Sequence, residues 1–265
     1  MTAGAGVPLD SERGSFLRFA GRWVVVTGAS AGLGRAIAVG LARHGARVVL
    51  VGRDRSRLEE TAAMLGEVEH RMLTLDLASH EQIGPAILGL REACGPLHGL
   101  CHAAGVVETR PLSATTVPVV QDQIGINLLA GLELARAICR RDVMDPDGGS
   151  ILFISSVYGH VGMPGQIGYC ASKGALVAAA RAMAVELARR RIRVNTLSPG
   201  MVATHMTEGA FKALSAEQVD KLKALHPLGI GQPEDVANAA VFLLGPGARW
   251  ITGADLAVDG GFTAQ

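Results

Sequence analysis

Apolar and polar positions along the chain fall into short blocks of two alternating kinds. Residues Trp23 to Gly28 read WVVVTG, an apolar, β-branched run closed by glycine. A run without polar alternation belongs to a strand buried on both faces. The next block, Leu33 to Gly45, places Ile37, Ala38 and Leu41 at helical spacing and ends on Gly45, a natural stop. ARVVLVG, Ala46 to Gly52, is a second buried strand, and RSRLEETAAML after it a charged amphipathic helix. The alternation continues. HRMLTLD predicts a strand ending at Asp76, HEQIGPAILGLREACG a helix interrupted early by Pro85, and LHGLCHAAG a strand with a glycine turn. Val119 to Met144 has the pattern of one long helix, GSILFISS of a strand, and Gly168 to Arg190 of a second long helix. IRVNTLSPG predicts a strand ending in a Pro-Gly turn, PEDVANAAVFLL a helix with Pro233 near its start, and ADLAVDGG a last strand.

Repeated βα units of this size predict an α/β fold: a single Rossmann-type, doubly wound parallel sheet of about seven strands with helices on both faces. A closed eight-fold barrel is the rival arrangement. Seven strands and a glycine-rich first turn favour the open sheet, in which ligands bind beyond the C-terminal strand ends. Gly28, Asp76, Ala103, Ser156 and Pro199 all stand at such ends. Residues 1–20 read as a flexible arm and 21–265 as one domain, without internal repeat or linker. Residues 201–227 are too long for a simple strand-to-helix connection and are expected to serve as a substrate loop or lid.

Composition narrows the function classes. Apolar residues make up 49% and charged residues 18% of the 265, enough for a large buried core. The net charge is +1 and no basic patch stands out, so nucleic acid is not an expected partner. No segment reaches a membrane-spanning length of apolar residues, and the N-terminus has no leader-like run; a cytoplasmic protein is expected. The cysteines, Cys94, Cys101, Cys139 and Cys170, match no zinc spacing, so no metal site is expected and reduced thiols are the plain reading.

TGASAGLG, Thr27 to Gly34, lies between the first strand and the first helix. Gly28, Gly32 and Gly34 allow a tight turn close to a ligand, and the helix start offers unpaired N–H groups to a pyrophosphate. Strand, turn and helix in that order give the glycines their meaning. After the second strand an acid reads a free ribose 2′-hydroxyl, whereas a base pairs with a 2′-phosphate. Gly52 occupies that place and Arg53 follows, which favours NADP(H) over NAD(H). Asp54 is expected to begin the next helix or turn, and Asp76 with Leu77 to flank the adenine.

Tyr169 and Lys173 stand four apart in GYCASKGAL, on one side of a helix. A phenol is a poor proton shuttle at neutral pH, and a neighbouring ammonium is expected to lower its pKa. Ser156, thirteen residues earlier at a strand end, can reach the same substrate oxygen. Tyr158, the only other tyrosine, has no lysine at the same spacing and is expected to line the cleft.

In order and spacing, TGASAGLG, HAAG (His102 to Gly105), Asn127 in GINLLAG, Ser156, YCASK, SPGMVAT and the closing PEDVANAAVFLL…ITGADLAVDGG resemble the short-chain dehydrogenase/reductase family from Gly21 to Phe262. The resemblance implies Tyr169 as acid/base, Lys173 on the nicotinamide ribose, Ser156 on the substrate oxygen and Asn127 in a water-mediated proton relay. It implies Gly28, Ser30, Gly32, Leu33 and Gly34 at the phosphates, with Ala103, Ala104 and Gly105 near the adenosine. Pro199, Gly200, Val202 and Thr204 would line the nicotinamide. Two positions depart from the pattern: His102 where asparagine is usual, and Ala31 where NADP-binding relatives often carry a base.

The 3-oxoacyl-acyl-carrier-protein reductases are the subgroup most resembled, through Gln166 and the basic run RRRIR after the Tyr169 helix, which would suit an acidic carrier protein. A sugar, polyol or secondary-alcohol dehydrogenase fits equally, and a non-catalytic dinucleotide sensor is the reading from another class. Val157, Tyr158, His160, Met163, Gln166 and Met206 are the expected substrate pocket. The family also implies a homotetramer, paired through the helices of Asn127 and Tyr169 at Ala171, Ala175, Ala178, Ala179 and Ala182.

Overall fold

A computed structural model describes residues 17–204, 207 and 215–265. Seven strands form one parallel sheet: β1 Trp23–Thr27, β2 Arg47–Gly52, β3 His70–Thr74, β4 Leu97–His102, β5 Gly149–Ile154, β6 Ile192–Pro199 and β7 Asp255–Val258. Their order is β3-β2-β1-β4-β5-β6-β7, so the winding reverses between β1 and β4. The expected doubly wound sheet is what the chain forms.

The uniform apolar runs of β1 and β2 are explained by their two covered faces. Val25, Val49 and Val51 pack toward one helical layer. Val24, Val26, Val48 and Leu50 pack toward the other. The first layer holds α3 (His80–Cys94), α5 (Ala130–Ile138) and α6 (Ile167–Leu187). The second holds α1 (Gly32–Arg43), α2 (Arg55–Ala63) and the helix Pro233–Leu244.

Several expectations change. Pro85 does not interrupt α3, which runs through it; as the sixth helical residue it forgoes the bond an N–H there would make to Glu81 O. The expected helix from Val119 to Met144 is three pieces: α4 Val117–Ile124, a π-helical turn Gly125–Leu129 and α5, ending at Ile138. Phe19 is buried against α1 and its N–H reaches the His44 carbonyl, so the packed chain begins before residue 20. Within 201–227 a helix, α7 (Ala216–Ala224), is capped reciprocally by Ser215 and Gln218; α8 is Pro233–Leu244. Met206 lies outside the described residues. Among the described residues no helix is long and apolar enough to cross a membrane, and no cluster could hold a metal ion.

Candidate active site

The glycine turn is a close fit of backbone on backbone. A Cβ at Gly34 would stand 2.2 Å from the Gly28 carbonyl oxygen, and one at Gly28 would stand 2.9 Å from Ala104 N and Cα. Gly28 and Gly32 also take φ of +65° and +52°, which side chains disfavour. Only glycine lets Thr27–Gly34 fold under the 103–105 turn. A Cβ at Gly32 would stand 3.7 Å from Thr204 Cγ2, so the segment after β6 comes to the same place. Val202 is held there by a bridge to Gly231, and Gly200 by its N–H on the Val258 carbonyl. Pro199 ends β6 and Leu33 lies in the first turn of α1.

Behind the turn, β2 ends at Gly52, whose Cα faces the Ser30 side chain; a Cβ there would lie 3.5 Å from Ser30 Cβ. Arg53 follows, exposed and without a hydrogen bond or ion pair to any described residue. Asp54 is engaged elsewhere: it caps α2, accepting from Arg57 N at 3.1 Å. Asp76 caps its own turn through Ala78 N. Leu77 sends its side chain into the core, which leaves only its backbone to face a ligand.

Across the reversal point the polar residues converge. Gly105 is the hub: a Cβ on it would lie 3.2 Å from Asn127 Oδ1 and 3.4 Å from Lys173 Nζ. Asn127 sits in the π-turn, fully buried. Its amide is committed on both ends: Oδ1 accepts from Val106 N at 2.7 Å, and Nδ2 donates to Val106 O and Ser172 Oγ, each at 2.9 Å. The side chain therefore positions the 105–106 turn and α6, and its Oδ1 keeps a second acceptor site. Lys173 is 4% exposed and donates to Ile154 O at 2.7 Å. Ser155 Oγ donates to Lys173 O at 2.9 Å, clamping the β5 end to α6.

Tyr169, one turn before Lys173, has the ammonium 5.6 Å from its ring centre. The Ser156 hydroxyl is near enough to pull the pKa of the phenol down. The expected lowering of the tyrosine pKa does not occur in the protein alone. Burial pushes the phenol up to about 12, against the pull of Ser156, with Tyr158 and Cys170 adding smaller upward contributions. Burial also pushes Lys173 down to about 8. Two groups in one dry pocket, without a counter-charge, each favour the neutral form. A phenol that keeps its proton is in the state a general acid needs.

His102 fills its unusual position with full satisfaction. Ile126 O can only accept, so the ring proton of the neutral imidazole is on Nε2, and Thr27 Oγ1, which accepts from Ala104 N at 3.1 Å, donates to His102 Nδ1 at 2.9 Å. Nε2 donates to Ile126 O at 3.2 Å. Burial first, then Lys173, holds this imidazole neutral, with a pKa near 4. The relay ties the glycine turn to the π-turn, and sequence reasoning did not foresee it.

The expected substrate wall divides. Val157 is buried, and Met163 and Gln166 are half-buried, with Gln166 Oε1 lacking a partner. Tyr158 stands edge-on to Phe262, which stacks on His226. Neither of those two rings was anticipated; scarcity of aromatics was the available signal. His160 Nε2 meets Asp255 Oδ2 at 2.7 Å, at the start of β7, and lies 3.4 Å from Ser198 Oγ near the upper end of β6.

A family model described as Enoyl-(Acyl carrier protein) reductase matches residues 28–263. The chain belongs to the short-chain dehydrogenase/reductase family. It is 34% identical over 251 residues to D-threitol dehydrogenase of Mycolicibacterium smegmatis, covering 94% of this chain and 95% of that one. It is 38% identical over 237 residues to human 3-oxoacyl-[acyl-carrier-protein] reductase, covering 89% and 95%. The crystal structure of carveol dehydrogenase from Mycobacterium avium in complex with NAD superposes with a TM-score of 0.87 at 29% identity, over 94% and 99% of the two chains. This short-chain dehydrogenase/reductase is an oxidoreductase that acts on an alcohol or ketone with a nicotinamide dinucleotide.

Proposed function

We propose that the enzyme interconverts a ketone, or a 3-oxoacyl group, and a secondary alcohol, with NADP(H) favoured over NAD(H). The observation that carries this reading is the meeting of Ser156, Tyr169 and Lys173 beside the glycine turn, through Gly105. The nicotinamide supplies or accepts the hydride. Ser156 and Tyr169 hold the substrate oxygen, and Tyr169 gives or takes its proton. Lys173, with one acceptor at Ile154 O and further donors to spare, holds the ribose hydroxyls. Free Arg53, next to the Gly52 that faces Ser30, suits a 2′-phosphate, and the acid that follows it, Asp54, is already used as a helix cap.

The substrate side stays open between a small carbonyl or polyol and a chain on an acyl carrier protein. The basic run offered for the carrier does not support it. Arg189, Arg190 and Arg191 follow α6, about 27 Å along the helix axis from Tyr169, and stand at the start of β5, the wrong end of the sheet. Small residues Ala171, Ala178 and Ala182 on the outer side of α6 are exposed, which supports pairing with a second copy in a homotetramer; light scattering tests it. Four free thiols accord with a cytoplasmic setting.

The experiment is oxidation of NADPH and NADH against ketones, polyols and acyl thioesters. Tyr169→Phe should abolish turnover while dinucleotide binding persists; undiminished turnover sinks the proposed acid. Arg53→Ala should raise the KM for NADPH about tenfold and leave that for NADH unchanged.

A further inference from the structure

A cleft of about 560 Å³ lies away from the catalytic end. It opens at the N-terminal strand ends, between the starts of β1, β4, β5 and β6 and the C-terminal end of α8. Arg22, Arg191, Arg193 and Arg249 line it against one acid, Asp147.

Two of these arginines have structural employment. Arg193 donates to Leu243 O, Leu244 O and Gly245 O at 2.6 to 3.1 Å, closing the carbonyl end of α8. Arg191 faces Asp147 at 3.6 Å and Pro146 O at 3.4 Å. The other two have none. Arg249 is exposed, and its guanidinium makes no bond to a described residue. Arg22 reaches only His98 Nε2, at 3.5 Å. A guanidinium can only donate, so Nε2 accepts and the imidazole proton sits on Nδ1. That Nδ1 is buried and has no acceptor. Burial, then Arg22, keeps His98 neutral, so the ring adds a donor without competing charge. Trp250 stands at the rim, 90% exposed.

An unpaired guanidinium, a second held only by a long contact to a ring nitrogen, and an excess of three positive charges want oxyanion acceptors. We infer that this cleft is a binding site for a small polyanion of the phosphate or carboxylate type, held by Arg22 and Arg249 with Trp250 against its flank. The site is separate from the dinucleotide site, which lies at the opposite strand ends.

Trp250 makes the test direct, because the only other tryptophan, Trp23, is 3% exposed. The intact protein is titrated with sodium pyrophosphate and, separately, sodium citrate, at ionic strength matched with chloride. A saturable change in emission is expected with at least one of them, and the one that acts assigns phosphate or carboxylate. Arg249→Ala should weaken the apparent Kd about tenfold, and Arg22→Ala added to it about tenfold more. Turnover should not change in either variant. Calorimetry on Trp250→Phe repeats the measurement without the fluorophore. A response that tracks ionic strength alone, that survives both arginine substitutions, or that is absent in emission and in heat overturns the assignment. So does a change that follows protein concentration, which would mean a second copy covers the cleft.

Discussion

The two ends of the sheet are built from the same strands and filled with opposite chemistry. At the C-terminal ends lie glycines, hydroxyls and one buried lysine: Gly28, Gly34, Ser155, Ser156, Tyr169 and Lys173. At the N-terminal ends lie arginines: Arg22, Arg190, Arg191, Arg193 and Arg249. The difference follows from helix direction. Each crossover helix starts near a strand top with unpaired N–H groups and ends near a strand bottom with unpaired C=O groups. The top needs acceptors and room for a ligand's backbone approach. The bottom needs donors, and arginine supplies them, as Arg193 does at α8 and Arg190 does at Cys139 O. The basic run RRRIR is thereby explained without a carrier protein.

The comparison breaks most sharply at Tyr169. Tyr169→Phe should lower kcat about 10³-fold, roughly 4 kcal/mol of transition-state stabilisation, with little change in the urea midpoint. A loss of stability in place of activity would show that the upper end is structural too.

Lys173 gives the next largest effect, read against pH. Its folded pKa of about 8 lies below the ordinary 10.5, so the unfolded chain binds more protons between those values. Stability from this group is complete above pH 10.5 and is lost as pH falls through 8. The stability difference between wild type and Lys173→Met should change by about 3 kcal/mol between pH 7 and pH 10.5. Tyr169 works the other way: raised to about 12, it loses stability as pH climbs through that value. Because Tyr169 is present in both proteins, its part cancels in the difference. A flat difference would mean the ammonium is better solvated than its burial indicates.

At the lower end, Arg193→Ala should cost about 2 kcal/mol of unfolding free energy by leaving three α8 carbonyls unpaired, with kcat unchanged. A fall in kcat would join the two ends mechanistically.

The smallest effect concerns His102 and Gly131, where a Cβ would come within 2.8 Å of His102 Cδ2. Gly131→Ala should destabilise wild type more than it does His102→Asn, with a coupling of about 1 kcal/mol in a double-mutant cycle. Strict additivity would show that the ring yields freely.

What could be read without coordinates was what is local. Val24 to Val26 announce a strand, Gly28 and Gly34 a tight turn, and Tyr169 and Lys173 a shared helix face, because each rests on neighbours within a turn or two. The Ser215–Gln218 cap was equally local, and its S-x-x-Q pattern marks α7 inside the segment taken as irregular. Other features were not legible. The π-turn at Asn127 keeps the same apolar pattern as an unbroken helix. His160 finds Asp255, Tyr158 finds Phe262, and His102 finds Thr27 and Ile126 across long stretches of chain, and no periodicity encodes those meetings. The direction of the Tyr169 shift was missed for the same reason: charge proximity is visible in spacing, burial is not.

Sequence by itself determined the alternation of elements, the glycine turn and the choice of candidate side chains, since these follow from backbone preference and residue chemistry over short range. Tertiary structure alone decided which of those side chains share a dry pocket, which arginines are consumed by helix ends and which stay free. Those outcomes depend on desolvation and on contacts between distant strands, and both exist only once the sheet has closed its two layers.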